Sequence, residues 1–79
     1  MKLVRKSYII KREHEDEGTI YLDYFEMGQF GSRITFTKKK SMAITFLTYY
    51  EAAATMCFLV EQLDANLQEE LSVVPLVEL

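Results

Sequence analysis

The chain has 79 residues, which is enough for one hydrophobic core, so we expect a single domain over residues 1–79. Hydrophobic residues make up 49% and charged residues 27%, which argues against a disordered chain, and no apolar run approaches the roughly 20 residues that a membrane-spanning helix needs. The N-terminal residues carry no apolar stretch long enough for a signal peptide, and the one cysteine, Cys57, cannot form an intramolecular disulfide. We therefore expect a cytoplasmic protein that is not embedded in a membrane.

The net charge of −3 conceals an uneven distribution of charge along the chain. Residues 1–40 contain all nine basic residues and six acidic ones, whereas residues 41–79 contain six acidic residues and no Lys or Arg. One interpretation is that the two halves complement each other within the fold. The other is that one of them faces a partner of opposite charge.

The first half of the chain predicts a β-hairpin followed by a third strand. The β-prone run Lys2–Arg12 precedes a polar turn, Glu13–Gly18, and a second strand, Thr19–Phe25. Strand alternation predicts that side chains of the second strand divide between two faces, with Ile20, Leu22 and Tyr24 on one and Tyr21, Asp23 and Phe25 on the other.

A second turn is predicted over 26–32, where Gly28 and Gly31 supply backbone freedom, and a third strand over 33–38. The segment 42–47 is apolar and fits a short helical turn followed by an extended piece.

Thr48 marks the start of the main helix. Thr48 and Glu51 have the spacing of a capping box, and the helical pattern extends to Leu63 or Asn66. The predicted sheet-facing residues recur at helical spacing: Tyr49, Ala52, Ala53, Met56, Leu59, Val60 and Leu63.

A last strand follows over 71–77. Because Pro75 cannot donate a ladder hydrogen bond, we expect this strand to lie at a sheet edge or to end near Pro75. The order β-β-β-α-β predicts an α+β fold, with one helix packed on a mostly antiparallel sheet.

The outer side of this helix is unusually apolar, since residues 52–60 contain no charged side chain. We call its four outward apolar or small residues, Tyr50, Ala54, Cys57 and Phe58, the helix shoulder. Either another segment of the same chain, such as residues 64–70, covers the shoulder, or it binds a partner or a second copy. The second alternative predicts a homodimer.

The sheet face away from the helix is a possible nucleic-acid surface, because bases stack on aromatic side chains and cations meet phosphates. Its candidate residues are Tyr21, Phe25, Arg33, Lys38, Lys39 and Lys40. The acidic net charge and Asp23 on the same face make nucleic acid the weaker alternative to a solvated face or a protein partner.

The sequence indicates no catalytic, cofactor or metal site. His14 is the only histidine, and Cys57 has no second histidine or cysteine with which to form a dyad or a ligand pair. We therefore expect a protein that is not an enzyme and needs no cofactor.

The layout resembles small uncharacterised proteins encoded by phages and prophages of Gram-positive bacteria. The resemblance is carried by generic positions: the opening Tyr8-Ile9-Ile10 strand, Ala43 and Phe46 ahead of a capped helix that opens with Glu51-Ala52, and the final Val73-Val74-Pro75-Leu76 strand. It implies expression in a bacterial host and action by binding a host protein. Together with the acidic second half, it suggests an inhibitor of a host nuclease or defence system.

Overall fold

A computed structural model describes residues 6–62 and 65–77 of the chain. Four strands, β1 (Lys6–His14), β2 (Gly18–Gly28), β3 (Gly31–Thr37) and β4 (Leu71–Val77), form one antiparallel sheet in the order β3-β2-β1-β4. One main helix, α1 (Tyr49–Gln62), and two short 3-10 turns, Lys40–Met42 and Ala65–Glu69, complete the described fold. The predicted α+β class and the β-β-β-α-β order are confirmed.

Two tight turns define the hairpins. Three residues connect His14 to Gly18, which has a φ of +78°, a left-handed value that an L side chain rarely adopts. The Nδ1 atom of His14 accepts hydrogen bonds from the backbone N–H groups of Asp16 and Glu17, both at 3.1 Å. The turn of the second hairpin consists of Gln29 and Phe30 alone. The turn predicted over 26–32 was therefore too long, because β2 and β3 include the other five residues of that segment.

The sheet divides beyond the middle of β2. Strand β1 pairs with β2 only up to Tyr21, and the extended segment 43–46 lies between the two strands from there on. The Ile44 N–H donates to the Leu22 carbonyl at 2.9 Å, while Phe46 exchanges two backbone hydrogen bonds with Tyr8, of 2.7 and 2.9 Å. The β2–β3 hairpin therefore extends from the body of the domain as an arm, and the molecule measures 47 × 30 × 19 Å.

Helix α1 begins as predicted and packs on β1 and β4. The Thr48 side-chain oxygen accepts a hydrogen bond from the Glu51 N–H at 3.1 Å, which confirms the N-cap. The reciprocal bond from the Glu51 side chain to Thr48 is not formed among the described residues. Ala52 and Leu59 are fully buried, and Met56 and Val60 pack against the core cluster, whose buried members are Ile10, Leu22, Leu59, Leu67 and Leu71.

The structure agrees less well with the predicted face of the first helical residue and with the predicted end of the helix. At Tyr49, in the first turn, the prediction holds only in part, because the ring contacts Tyr8 of β1 but is 52% exposed. The predicted face at Leu63 lies outside the described residues, whereas a 3-10 turn, Ala65–Glu69, occupies the segment of the alternative helix end at Asn66.

A β-bulge at Asp23 overturns the predicted alternation of β2. Leu22 pairs with Phe36 and Tyr24 with Thr35, so two steps along β2 match one step along β3. Because one extra residue reverses every later side chain, Phe25 lies on the core side and packs against the core cluster. Tyr24 is 44% exposed on the opposite face.

Strand β4 is an edge strand, as Pro75 predicted, and its bounds agree with the predicted 71–77.

Candidate interaction site

Exposed apolar side chains cluster where α1 begins. Leu47 is 72% exposed, Tyr49 52% and Tyr50 84%, and all three lie within four residues of one another. Tyr8 of β1 joins them, because its ring meets that of Tyr49 edge-on at a centroid distance of 6.0 Å. We call Tyr8, Leu47, Tyr49 and Tyr50 the aromatic surface.

Local structure fixes the position of the aromatic surface. The two backbone hydrogen bonds between Tyr8 and Phe46 tie the approach to the helix to β1, and the Thr48 cap sets the first helical turn. The rings of Tyr49 and Tyr50 also meet edge-on, at 6.2 Å and 81°. Side chains that are already ordered lose less conformational entropy when a partner binds.

Sequence reasoning missed most of this surface. It identified Tyr50, but it assigned Tyr49 to the buried face and left Leu47 in an ambiguous segment. The available signal was the position of Tyr49 directly after the capping residue, since the first helical residue lies at the rim of a helix–sheet contact. The approach of Tyr8 to Tyr49 depends on the long-range bridge to Phe46 and has no local sequence signal.

The predicted helix shoulder is partly assembled. Tyr50, Ala54 and Cys57 are exposed and follow one another at helical spacing, whereas Phe58 is half-buried and is not among the residues that pack against the core cluster. The 3-10 turn Ala65–Glu69 does lie against α1. Neither alternative for Phe58, cover by its own chain or by a partner, is decided by these positions, and the shoulder stays a prediction.

Exposed acidic side chains lie at both ends of α1 and in the 3-10 turn that follows it. Glu51, Glu61 and Glu69 are exposed. One ion pair, from the Arg12 guanidinium to Glu70 at 3.4 Å, joins the basic first forty residues to the acidic remainder among the residues that the structure describes. Among the residues that the structure describes, ion pairs with the first forty residues therefore neutralise only a small part of the acidic half.

Arg12 also contributes to packing. Its guanidinium carbon lies 5.2 Å from the centre of the Phe36 ring, and its Nε is buried without a hydrogen-bond acceptor in the described structure.

The predicted nucleic-acid residues do not all share a face. Tyr21 is half-buried on the sheet face away from α1, and Arg33 lies on that same face and is exposed; the adjoining Lys38, Lys39 and Lys40 are also exposed. The prediction that Phe25 lies on this face was wrong. The bulge at Asp23 places its side chain on the core side of the sheet. Tyr24 takes its place beside Arg33 and Thr35, around an open depression.

Carboxylates on this face reduce its attraction for phosphate. Tyr24 donates its hydroxyl hydrogen to Glu26 at 2.7 Å, which raises the pKa of Tyr24. The Glu13 carboxylate accepts a hydrogen bond from Thr19 at 2.8 Å and lies 3.2 Å from the Lys11 ammonium, and these contacts lower the pKa of Glu13. Both carboxylates stand beside the aromatic and basic groups that would meet a nucleic acid.

The described residues show no grouping of three or more His, Cys, Asp or Glu side chains that could hold a metal ion. His14 already accepts two backbone hydrogen bonds, and Cys57 is an exposed, free thiol beside an open depression of about 210 Å³ that is lined by Met56, Cys57, Val60, Glu61 and Gln68. None of the helices in the described part of the chain has the length and apolar character needed to cross a bilayer.

Comparisons with family models, with curated proteins and with solved structures found no match to this chain. The resemblance to phage-encoded proteins therefore stays a prediction from the sequence.

Proposed function

We propose that this protein is a non-enzymatic interaction module that binds another protein through the aromatic surface. The observation that carries the proposal is that Leu47, Tyr49 and Tyr50 are all exposed within four consecutive residues at the start of α1. Tyrosine is enriched at the energetic centres of protein interfaces, because it offers a large contact area and a hydroxyl at small entropic cost.

Charge defines the kind of partner. Glu51 lies in the same helical turn as Tyr49 and Tyr50, and no Lys or Arg occurs anywhere in residues 41–79. A partner that presents a cationic surface around an apolar pocket would complement this region in both charge and hydrophobicity. Nucleic-acid-binding proteins have such surfaces, so a bacterial nuclease or defence protein fits, with this chain acting as its phage-encoded inhibitor.

Affinity capture with matched variants tests the proposal. Wild type, Tyr50→Ala and Phe30→Ala would each be used as bait in lysate of a Gram-positive bacterium. Phe30 is the control because it is an aromatic residue that is 99% exposed, but in the turn of the β2–β3 arm.

The expected result is a partner that wild type and Phe30→Ala both retain and Tyr50→Ala loses. With the purified partner, Tyr50→Ala should weaken binding by tenfold or more, as truncation of a central interface tyrosine does. Raising the salt concentration should weaken the wild-type complex further, because the complementary charges become screened. Equal binding by all three baits, or no enriched protein, would refute the proposal.

A second candidate function, binding of nucleic acid, rests on the three consecutive lysines. Lys38, Lys39 and Lys40 are exposed, and none forms an ion pair within the described residues. Salt-titrated binding to single- and double-stranded oligonucleotides separates the two functions. Nucleic-acid binding requires an affinity that falls steeply with salt and is lost when the three lysines are replaced by alanine, with Tyr50→Ala unaffected.

A further inference from the structure

Within the described part of the chain, β3 is an edge strand, and no other segment pairs with the backbone groups on its outer side. The Leu22 carbonyl accepts from the Ile44 N–H, so it points away from β3. In an antiparallel ladder, two directly opposed residues either exchange hydrogen bonds or both turn their backbone groups away. Phe36 opposes Leu22, so its N–H and C=O face outward, and by the two-residue period of the strand those of Ile34 do as well.

The other edge of the sheet is blocked. Tyr8 forms both of its backbone hydrogen bonds with Phe46. Its N–H and C=O groups therefore point away from Pro75, its partner on β4, and the backbone groups of Pro75 point away from Tyr8. The Pro75 nitrogen therefore lies on the outer edge of β4, where it carries no hydrogen. A proline in the middle of an edge strand prevents another strand from pairing along it.

The arm that carries β3 lacks the support that the rest of the sheet has. Helix α1 packs on β1 and β4, and β1 pairs with β2 only up to Tyr21, so among the described residues the arm beyond Asp23 has two strands. A two-stranded ribbon is only marginally stable in water, whereas a sheet of four strands with a common apolar face can be stable by itself. Phe25, Ile34 and Phe36 on the core face of the arm are only half-buried.

We propose that β3 pairs antiparallel with β3 of a second copy of this chain, around a two-fold axis at Thr35. This register places Ile34 opposite the second copy's Phe36 and Arg33 opposite the second copy's Thr37, so no like charges oppose each other. The two Lys38 residues lie six residue steps apart along the joined strands, roughly 20 Å, where their repulsion is screened. The five-residue segment 33–37 of β3 is thus complementary to itself, which is the requirement for a two-fold interface.

The proposed pairing joins the two arms into a four-stranded ribbon within an eight-stranded sheet. It leaves the aromatic surface free in both copies, because that surface lies at the start of α1. The inference is independent of the proposed function. The homodimer predicted from the sequence would thus form through the β3 edge and not through the helix shoulder.

Disulfide trapping tests the register directly. In a Cys57→Ser background, Thr35→Cys places two thiols opposite each other in a pair without hydrogen bonds, where Cα atoms lie about 4.5 Å apart. Arg33→Cys is the matched control, because the two introduced cysteines lie four residue steps apart, roughly 14 Å. Under mild oxidation Thr35→Cys should form a covalent dimer at low protein concentration and Arg33→Cys should not.

Light scattering completes the test. Wild type should have the mass of a dimer at high concentration, and Ile34→Pro should weaken dimerisation by about tenfold or more, since it removes one outward N–H donor from each copy. A wild-type monomer would overturn the proposal, as would a disulfide dimer with Arg33→Cys, or a dimer that Phe58→Glu dissolves while Thr35→Cys fails to cross-link. The cysteine pair decides the matter even if Ile34→Pro does not fold.

Discussion

Truncation of one leucine in the core and one on the surface measures how much of the stability comes from the contact between α1 and the sheet. Leu59 is fully buried in the core cluster with Ile10 and Leu71, whereas Leu47 is 72% exposed. A buried Leu→Ala change costs about 2–5 kcal/mol, because it removes apolar contact and leaves a cavity. A 79-residue domain has a total unfolding free energy of about 4–12 kcal/mol. Leu59→Ala therefore removes a large share of the stability.

The same chemical change at Leu47 gives the control. Full burial of a leucine side chain is worth about 1.5–3 kcal/mol, and Leu47 has less than a third of its surface buried, so Leu47→Ala should cost less than about 1 kcal/mol. Urea denaturation followed by circular dichroism gives both values. A loss of about 3 kcal/mol at Leu59 also lowers the melting temperature by about 12–24 °C. Equal losses in the two variants would refute the placement of α1 on the sheet.

Three further variants test single features of the fold. Thr48→Ala should lower the unfolding free energy by about 1 kcal/mol in urea denaturation, and Thr48→Asp should restore it, because an aspartate can accept the same hydrogen bond at the helix start. Gly18→Ala should cost about 1 kcal/mol and Gly18→Asn less, since asparagine tolerates a positive φ better. The pKa of Tyr24 is raised above its ordinary value of 10.0, so this group stabilises the fold below pH 10, and its contribution is lost as the pH rises through the folded-state pKa. The stability of Tyr24→Phe should therefore lack this dependence on alkaline pH. Glu26→Ala should lower the pKa of Tyr24 in a tyrosinate absorbance titration.

Features with a local physical cause could be predicted from the sequence. The Thr48 cap, the spacing of Ala52, Met56 and Leu59, and the position of Pro75 each depend on the chemistry of nearby residues, and the structure contains all of them. Because turn residues and strand composition are local signals as well, the order of the elements could also be predicted.

Features that depend on long-range pairing could not be predicted. The insertion of segment 43–46 between β1 and β2 brings Tyr8 beside Tyr49 and so creates much of the candidate site, yet the residues involved are about forty positions apart. The exposure of Leu47 follows from the same insertion, because Ile44 and Phe46 turn toward the core. An apolar run alone does not show which of its members the fold leaves outside.

The bulge at Asp23 explains why alternation failed in β2, and it makes a prediction of its own. Removing one residue from a strand normally reverses the faces of all later residues. Deletion of Asp23 should instead remove the extra residue and leave Tyr24 opposite Thr35 and Phe25 opposite Ile34. The variant loses the hydrogen bond that Asp23 accepts from Thr35 and the local bend, so we expect it to fold with a loss of about 1 kcal/mol.

Deletion of Thr35 from the regular strand is the matched control for deletion of Asp23. It enlarges the mismatch between the two strands and should separate Phe25 from Ile34, at a cost well above that of deleting Asp23. Nuclear Overhauser contacts between the side chains of Phe25 and Ile34 report the pairing in each variant. If these contacts disappear when Asp23 is deleted, then Asp23 is not a surplus residue. The side assigned to Phe25, and with it the removal of Phe25 from the possible nucleic-acid surface, would then have to be abandoned, because both depend on that one extra position in the ladder.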